Sequence, residues 1–343
     1  NQWCNVVRWE MRTRLFLRTT EFLWQEGHTA HSTEQEAREE VMRILEIYRR
    51  FAEDILAMPV LVGRKTDSEK FAGAVETYSI EGLMQDGKAL QSGTSHYLGQ
   101  NFAKAFNVTF LDESGERKLV YATSWGVSTR LVGAVIMVHG DDVGVVFPPR
   151  IAPTQVVVVP IWKGDDEMAQ LRPVAHKISE ILTGVRVKVD ARDNMRPGAK
   201  FYEWEKRGVP LRLEIGPKDL AKNQVVAVMR HSKEKVFLPM DAISKEVPLL
   251  LERIQREMYS RALKFREDHT STAETFEEMS AILDGKGGFV RARWCGSQTC
   301  EAVLKEKSKA TIRNIEVNQT EDPGNCVCCG GAAKYRYHIA KAY

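Results

Sequence analysis

A chain of 343 residues, 43% of them hydrophobic and 28% charged, is long enough for two or three domains with sizeable cores. The formal net charge of +3 is too small to indicate nucleic-acid binding by itself, so any RNA-binding surface must be a local basic patch. No run approaches the roughly 18 apolar residues of a membrane-spanning helix, and no stretch has the pattern of a signal peptide. We therefore expect a cytoplasmic protein with no membrane partner.

The first strongly patterned stretch is Val6–His31, where charged and aromatic residues alternate. Alternation around Trp9 and again from Phe16 to Phe22 predicts two antiparallel strands joined by a basic turn at Arg12-Thr13-Arg14. The side chains that this hairpin would direct toward one site are Arg8, Glu10, Arg18 and Glu21. The spacing alone would also fit a solvent-exposed hairpin rich in charge.

Arg8-Trp9-Glu10, followed by the run LRTTEFLWQEGH at 17–28, resembles motif 2 of the class II aminoacyl-tRNA synthetases. More narrowly, it is similar to the prolyl-tRNA synthetases of the archaeal and eukaryotic-like type. Amino-acid activation builds negative charge at the α-phosphorus of ATP, and the rigid donor fork of arginine suits that charge. The resemblance implies that Arg8 is catalytic and bridges the proline carboxylate and the α-phosphate. It implies ATP contacts by Arg18, Thr19 and Phe22, with Phe22 stacked on adenine, and a contact of Glu10 with the adenine side of ATP or with a loop.

A helix is predicted over Ser32–Met58, because Thr33 and Glu36 form a capping box and apolar residues recur at helical spacing. Pro59 ends it and a strand follows. The block at 63–74, GRKTDSEKFAGA, also resembles the prolyl enzymes. The segment before the next motif is too short for the inserted editing domain of the bacterial-type enzymes, so the resemblance implies no hydrolytic proofreading in cis.

The run Gln91-Ser92-Gly93-Thr94-Ser95-His96 combines small residues, which let a backbone approach a ligand, with hydrogen-bonding side chains. We expect it to follow a strand and to precede a helix that begins near Tyr97. The resemblance implies that Gln91 and Thr94 contact ATP and that His96 contacts proline. Alone, the pattern is also that of an ordinary turn.

The run SWGVSTR at 124–130, followed by an apolar helix at 131–139, resembles motif 3. An arginine at the head of a buried helix adds its charge to the positive end of the helix dipole. The resemblance implies that Arg130 is a catalytic residue that binds the γ-phosphate, with Ser128 beside it on ATP. Without that context, Arg130 could simply cap its own turn.

The proline-rich joint at 146–153 is the best domain boundary, so we predict a catalytic domain at 1–150. Alternating strands and helices predict an α/β domain at 151–255, which resembles the anticodon-binding domain of several class II synthetases. Its segment 192–205 combines basic and aromatic residues, as a site for unpaired bases requires. Those aromatic residues could equally belong to the core.

The last segment, 256–343, holds five of the six cysteines. Cytosolic context argues against disulfides, and two close groups of cysteines favour a tetrahedral structural zinc site. The predicted ligands are Cys295, Cys300, Cys326 and Cys329, with Cys328 as the alternative fourth. Resemblance to the zinc-bearing C-terminal domain of these synthetases supports that prediction. Zinc here would stabilise a small α/β domain and carry no catalytic water.

The predicted fold class is therefore an α+β class II catalytic core with an antiparallel sheet, followed by an α/β anticodon-binding domain and a small zinc-binding α/β domain. The resemblance implies that L-proline and ATP, with Mg²⁺ bridging the phosphates, give prolyl-adenylate. The prolyl group then passes to the 3′ end of tRNA(Pro) for protein synthesis. It also implies a homodimer for the full-length enzyme.

The first residue, Asn1, already lies next to motif 2, whereas in the family motif 1 and the dimer-forming elements come earlier. This predicts a fragment, a truncated gene product or a trimmed chain, and Tyr343 resembles the natural terminus of the family. A second hypothesis is a catalytically silent, tRNA-binding synthetase-like protein. A third, a class II enzyme for another amino acid, is disfavoured by the run WQEGH.

Overall fold

The computed structural model describes all residues 1–343, which divide into two compact units. The first unit comprises residues 1–54, 58–138 and 263–343, and the second comprises 55–57 and 139–262. No helix in the chain combines the length and the apolar character that crossing a membrane requires.

The N-terminal part of the first unit is mainly antiparallel sheet. Its strands are β1 (Gln2–Val7), β2 (Glu21–His31), β3 (Val60–Arg64), β4 (Glu76–Leu83), β5 (Ala89–Gly99), β6 (Thr109–Leu111), β7 (Arg117–Leu119) and β8 (Tyr121–Ser128). Its helices are α1 (Glu34–Arg50), α2 (Asn101–Phe106) and α3 (Arg130–His139).

Helix α1 begins with the predicted capping box, which is confirmed. The Thr33 hydroxyl accepts a hydrogen bond from the backbone N–H of Glu36, and the Glu36 carboxylate accepts one from the N–H of Thr33. Its buried face includes Val41 and Leu45. The α-helix ends at Arg50, earlier than predicted, and continues as one π-helical turn, Phe51–Ile55.

The predicted hairpin is present, but its first strand ends earlier, at Val7 instead of beyond Trp9, and its second strand begins later than the sequence indicated. β1 and β2 are antiparallel, with Val7 opposite Glu21, whereas residues 8–20 form a long loop. Phe16, expected to open the second strand, has φ +59° in the left-handed region. The only ladder contact within this loop is a single bridge between Arg14 and Arg18. The alternation therefore marks a strand only from Glu21 onward, because residues 16–20 have no partner strand to pair with.

The prediction that residues 91–96 lie between a strand and a helix beginning near Tyr97 is wrong, and so is the alternative of a turn. These residues lie inside β5, which pairs with β4 on one side and β8 on the other, and the helix begins at Asn101. The residues are small because α1 covers this face of the sheet. A Cβ on Gly93 would lie 3.3 Å from the ring of Tyr48, and the Ser95 hydroxyl donates to the Val41 carbonyl.

The second unit has the predicted α/β alternation. Its elements are β9 (Val156–Pro160), α4 (Asp165–Ile181), β10 (Val187–Val189), α5 (Pro197–Lys206), β11 (Leu211–Ile215), α6 (Pro217–Ala221), β12 (Gln224–Met229), β13 (Lys235–Pro239) and α7 (Ile243–Asp268), the last residues of which belong to the first unit. The strand order is β10-β9-β11-β12-β13, parallel for the first three strands and antiparallel beyond. Short α6 was not predicted.

The C-terminal segment returns to the first unit and enlarges its sheet. Its elements are β14 (Thr270–Thr272), α8 (Phe276–Asp284), β15 (Phe289–Trp294), α9 (Gln298–Ser308), β16 (Ala310–Glu316), β17 (Gly324–Asn325), β18 (Ala332–Ala333) and β19 (Tyr335–Lys341). Ten strands form one sheet, in the order β1-β2-β8-β5-β4-β3-β16-β19-β15-β14.

Strands β3 and β16 are the point at which the C-terminal segment joins the N-terminal sheet, with Ile315 opposite Arg64. Gly63 allows this close approach, since a Cβ there would lie 2.4 Å from the Ile315 carbonyl oxygen. The C-terminal segment is thus built onto the sheet that carries the candidate site.

Candidate active site and metal centre

The first unit contains a sizeable cavity. It has a volume of about 670 Å³ and is lined mainly by β2, β5 and β8 together with residues of the loops around them. A second, much smaller pocket, of about 20 Å³, shares Arg8, Phe22, Ser128 and Arg130 with it. The antiparallel register places the cavity-facing side chains side by side, because residues at every second position of a strand share a face.

All ten residues that the resemblance assigned to ATP or proline line one of these pockets. Those on the larger cavity are Arg8, Phe22, Gln91, Thr94, His96, Ser128 and Arg130. Those on the smaller pocket only are Glu10, Arg18 and Thr19. Glu21, which the hairpin pattern also aimed at the site, lines neither pocket, and its carboxylate instead accepts a hydrogen bond from Asn5.

Three guanidinium groups meet where the two pockets join. Arg130 donates to the carbonyl oxygens of Gln91 and Leu17, each at 3.3 Å. Burial lowers the pKa of Arg130, and the nearby charges of Arg18 and Arg8 lower it further. None of the three arginines forms an ion pair with a carboxylate. The site therefore holds concentrated positive charge that a polyanion such as a triphosphate can neutralise.

His96 occupies another part of the cavity wall. Its Nδ1 lies 2.9 Å from the Thr77 hydroxyl, and that hydroxyl also accepts a hydrogen bond from the backbone N–H of Phe71. The Phe71 ring packs on the imidazole, with centroids 5.0 Å apart. Burial, with a smaller effect from His28, lowers the pKa of His96 to about 4. The imidazole is thus neutral at physiological pH.

Sequence reasoning missed several cavity residues. Trp24, Glu26 and His28 follow Phe22 at alternate positions of β2 and line the same cavity, as does Phe71. Glu26 accepts a hydrogen bond from the Gln2 amide at 2.6 Å and lies 3.2 Å from His28 Nε2. The two-residue period starting at Phe22 is the signal that could have identified Trp24, Glu26 and His28, because alternate residues of a strand share one face.

Four cysteines of the C-terminal segment form a cluster whose sulfur atoms all lie within 4.8 Å of one another: Cys295, Cys300, Cys326 and Cys329. Tetrahedral zinc–sulfur bonds of about 2.3 Å place sulfur atoms about 3.8 Å apart. The sulfurs of Cys295 and Cys300 are 3.6 Å apart, and those of Cys295 and Cys329 are 3.9 Å apart. The donor set therefore fits zinc, and it favours Cys329 over Cys328, which lies outside the cluster.

One thiol of the cluster, that of Cys326, is shifted toward the thiolate form. Burial would raise the pKa of the Cys326 thiol, but hydrogen bonds involving the backbone at Cys328, Cys329 and Cys295 outweigh burial and lower the pKa to about 7. Burial raises the pKa of Cys328 to about 12. Burial raises the pKa of Cys295 and Cys300 as well, so within the cluster the thiolate is favoured at Cys326 alone.

The second unit has its own pocket, of about 450 Å³, beside the carboxyl ends of β9 and β10. Arg192, Arg196 and Lys200 contribute its basic groups. Asp190 accepts hydrogen bonds from Arg192 and from the Trp204 indole. Trp204 itself is buried in the core, so the alternative reading of the aromatic residues as core is right at this position.

Comparison with known protein families agrees with this architecture. Residues 1–139 match the tRNA synthetase class II core domain (G, H, P, S and T), residues 155–249 match the anticodon binding domain, and residues 276–343 match the prolyl-tRNA synthetase C-terminal domain. The antiparallel sheet, its arginine-rich cavity and these matches place the chain among the class II aminoacyl-tRNA synthetases.

Similar proteins show to which family within this class the chain belongs. A proline–tRNA ligase of Porphyromonas gingivalis is 52% identical over 345 residues, covering 100% of this chain and 70% of that protein. One from Clostridium novyi is 52% identical over 347 residues, covering 100% and 71%. The prolyl-tRNA synthetase of Cryptosporidium parvum, solved with L-proline and AMP, has a TM-score of 0.94 at 40% identity and covers 100% of this chain and 74% of that one. This chain belongs to the prolyl-tRNA synthetase family.

Proposed function

We propose that the chain is a proline–tRNA ligase that works in protein synthesis. A carboxylate oxygen of proline attacks the α-phosphorus of ATP, a new carboxyl–phosphate bond forms, and pyrophosphate leaves. The 3′-terminal hydroxyl of tRNA(Pro) then attacks the carbonyl carbon of prolyl-adenylate, and AMP leaves. The observation that carries the proposal is the meeting of Arg8, Arg18 and Arg130, none of them paired with a carboxylate, in a cavity whose other end carries aromatic rings and the Glu26 carboxylate.

At the arginine end of the cavity, we assign ATP. Arg8 would hold the proline carboxylate and the α-phosphate together, and Arg130 would bind the γ-phosphate with Ser128 beside it. Donors fixed before the reaction stabilise charge as it develops at phosphorus without reorganising. Glu10, Arg18, Thr19, Gln91 and Thr94 complete the ATP contacts, and Phe22 provides the adenine platform. Mg²⁺ enters as part of the substrate, bound to the phosphates.

At the other end, we assign proline. The rings of Trp24, Phe71 and neutral His96 form an apolar wall for the pyrrolidine ring. Glu26 provides a carboxylate, which is the partner that the positively charged nitrogen of proline requires. A protonated histidine in this wall would repel that nitrogen. The pKa of about 4 for His96 therefore supports the assignment.

Zinc would be held by Cys295, Cys300, Cys326 and Cys329. Four thiolates complete its coordination and leave no position for a catalytic water, so its contribution would be to the stability of the C-terminal segment. The spacing of the four sulfur atoms supports this part of the proposal.

We assign the tRNA anticodon to the second unit. Its pocket brings Arg192 and Arg196 beside Trp162, a combination of charge and aromatic surface that suits unpaired bases. The three family matches support a division into a catalytic domain (1–150), an anticodon-binding domain (151–255) and a C-terminal zinc domain (256–343).

Cytoplasmic location and a homodimer are part of the same proposal. Trp3, Trp9 and Met11 are 79%, 89% and 80% exposed, and apolar exposure of this size on one hairpin supports association with further protein. Sedimentation velocity measures the oligomeric state directly.

Two assays test the function. Proline-dependent exchange of labelled pyrophosphate into ATP reports activation, and charging of a tRNA(Pro) transcript reports transfer. We expect exchange with proline and none with threonine or histidine. Glu26→Gln should raise the KM for proline about tenfold or more, because a charge-assisted hydrogen bond is lost, while the exposed variant Glu113→Gln should not. Retention of tRNA without any exchange would identify a silent synthetase-like protein.

A further inference from the structure

Residues Lys65–Phe71, here called the 65–71 segment, follow β3 and form part of the cavity wall. Glu69 and Phe71 line the cavity, and the Phe71 ring packs on His96. The backbone N–H of Phe71 donates to the Thr77 hydroxyl at 3.0 Å. The position of this segment therefore determines the shape of the end of the cavity that we assign to proline.

The segment is anchored at its start by a buried charge cluster. Lys65, 3% exposed, lies 2.9 Å from the Glu81 carboxylate and donates to the Arg313 carbonyl oxygen at 2.9 Å. The guanidinium of Arg313 pairs with the same carboxylate at 2.9 Å. Arg313 lies on β16, so the C-terminal segment already contributes to this first anchor.

The middle of the segment is anchored by α9. The Thr66 hydroxyl donates to Glu301 Oε1 at 2.6 Å, and the two residues are only 2% and 4% exposed. One helical turn later, Lys305 forms an ion pair with Glu69 at 3.0 Å. Residues four apart share a helix face, so α9 contacts the segment at two points.

The same first turn of α9 carries a ligand of the metal cluster. Cys300 directly precedes Glu301 and is buried within the cluster. Leu304, on the next turn, is fully buried in the core of the C-terminal segment. A metal bound at Cys300 would thus fix the start of α9, from which Glu301 extends to Thr66.

We propose that Glu301 is a positioning residue for proline binding. Through Thr66 it holds the 65–71 segment so that Phe71 packs against His96, and the cysteine cluster holds α9 so that Glu301 can do this. The proline part of this inference depends on the proposed function. The holding of the segment does not, so the two can fail separately.

Hydrogen–deuterium exchange of the zinc-loaded protein tests the holding of the segment. Glu301→Ala should speed exchange of the amides at 69–71 by about tenfold, because their hydrogen bonds to Thr66 and Thr77 lose support. Glu301→Gln keeps an oxygen acceptor for Thr66, so its amides at 69–71 should exchange at the rate of the parent protein. Glu306→Ala, an exposed change on the same helix, is the matched control. Unchanged exchange at 69–71 in Glu301→Ala overturns the proposal.

Steady-state exchange kinetics test the effect on proline. Glu301→Ala should raise the KM for proline about five- to tenfold and leave kcat and the KM for ATP within about twofold, because only the proline end of the cavity is displaced. Glu301→Gln should restore the parent value. A KM for proline that stays at the parent value although the segment exchanges faster overturns the role in substrate binding.

Removal of the metal tests whether the cysteine cluster holds α9 in place. Zinc-free protein should show faster exchange in α9 and at 69–71, measured without any activity assay. If α9 loses protection on chelation while 69–71 keeps it, the cluster does not act through Glu301 and the proposal is wrong.

Discussion

The guanidinium carbon of Arg8 lies 4.8 Å from the centre of the Phe22 ring, over its face. The Phe22 ring also packs edge-to-face against Trp24, with ring centres 5.8 Å apart. The residue assigned to the α-phosphate thus covers one face of the residue assigned to adenine. Nucleotide binding must use the opposite face of Phe22 or displace Arg8 from the ring.

Phe22→Leu should weaken ATP binding selectively. Stacking of a base on an aromatic ring contributes about 1–3 kcal/mol, so the KM for ATP should rise about tenfold while the KM for proline stays within about twofold. The control is Phe237→Leu, a change at an exposed phenylalanine of the second unit. An unchanged KM for ATP in Phe22→Leu would remove Phe22 from the adenine site.

Zinc stoichiometry should distinguish Cys329 from Cys328. Cys329→Ser removes a sulfur from the cluster and should lower the bound zinc of purified protein well below one equivalent, whereas Cys328→Ser should leave it unchanged. Elemental analysis measures both variants. Loss of zinc in Cys328→Ser, with retention in Cys329→Ser, would reverse the assignment of the fourth ligand.

Glu81→Gln should destabilise the first unit strongly. The carboxylate is fully buried between Lys65 and Arg313, and these cations outweigh the effect of burial and lower its pKa. Removing its charge leaves two buried cations without a partner, which costs about 3–5 kcal/mol. Asp268→Asn, which breaks the exposed pair with Lys264, should change the free energy of unfolding by no more than about 1 kcal/mol.

Urea denaturation measures both of these changes. Equal effects of Glu81→Gln and Asp268→Asn would show that the buried cluster is not a source of stability.

Stability should fall as the pH decreases from 6.5 to 4. Burial lowers the pKa of His96 to about 4, so between pH 4 and 6.5 the unfolded chain binds more protons than the folded one. The free energy of unfolding therefore rises with pH through this window and levels off above it. For His96 alone the difference between pH 5 and pH 8 is about 2 kcal/mol.

His96→Gln isolates this contribution. Glutamine does not titrate, so the variant should show a smaller loss of stability between pH 8 and pH 5 than the parent protein in denaturant titrations. His139, His231 and His338 have pKa values that burial lowers in the same direction, so these groups should maintain the remaining slope. A variant with the full slope of the parent would contradict the assignment.

The sequence predicted most of the elements whose local signals agree with their packing. The capping box of Thr33 and Glu36 set the start of α1, and the alternation of strands and helices identified the α/β unit. The prediction for Gln91–His96 was wrong because small polar residues are typical of turns, whereas here they form part of a strand that packs against α1. No local sequence pattern in those residues indicates that a helix packs against them.

The candidate site was predictable to a similar degree. The motif residues converge on two adjoining pockets, but Glu26 and Phe71 were not among the predicted residues: Glu26 shares the cavity-facing side of β2 with Phe22, whereas Phe71 comes from a loop without a periodic pattern. The contact between Thr66 and Glu301 joins residues far apart in the chain. Such pairs depend on the join between β3 and β16, which no local pattern specifies.

The most direct test of the central claim is proline-dependent ATP–pyrophosphate exchange by this chain and by its Arg8→Ala variant, with Arg117→Ala as an exposed control. We predict exchange by the parent and by Arg117→Ala, and a loss of about 10²–10³-fold in kcat/KM for Arg8→Ala, the usual effect of removing one fixed donor to developing charge. Exchange that survives in Arg8→Ala at the parent rate would contradict the role of the arginine cluster. Absence of exchange from the parent chain would contradict the activity itself.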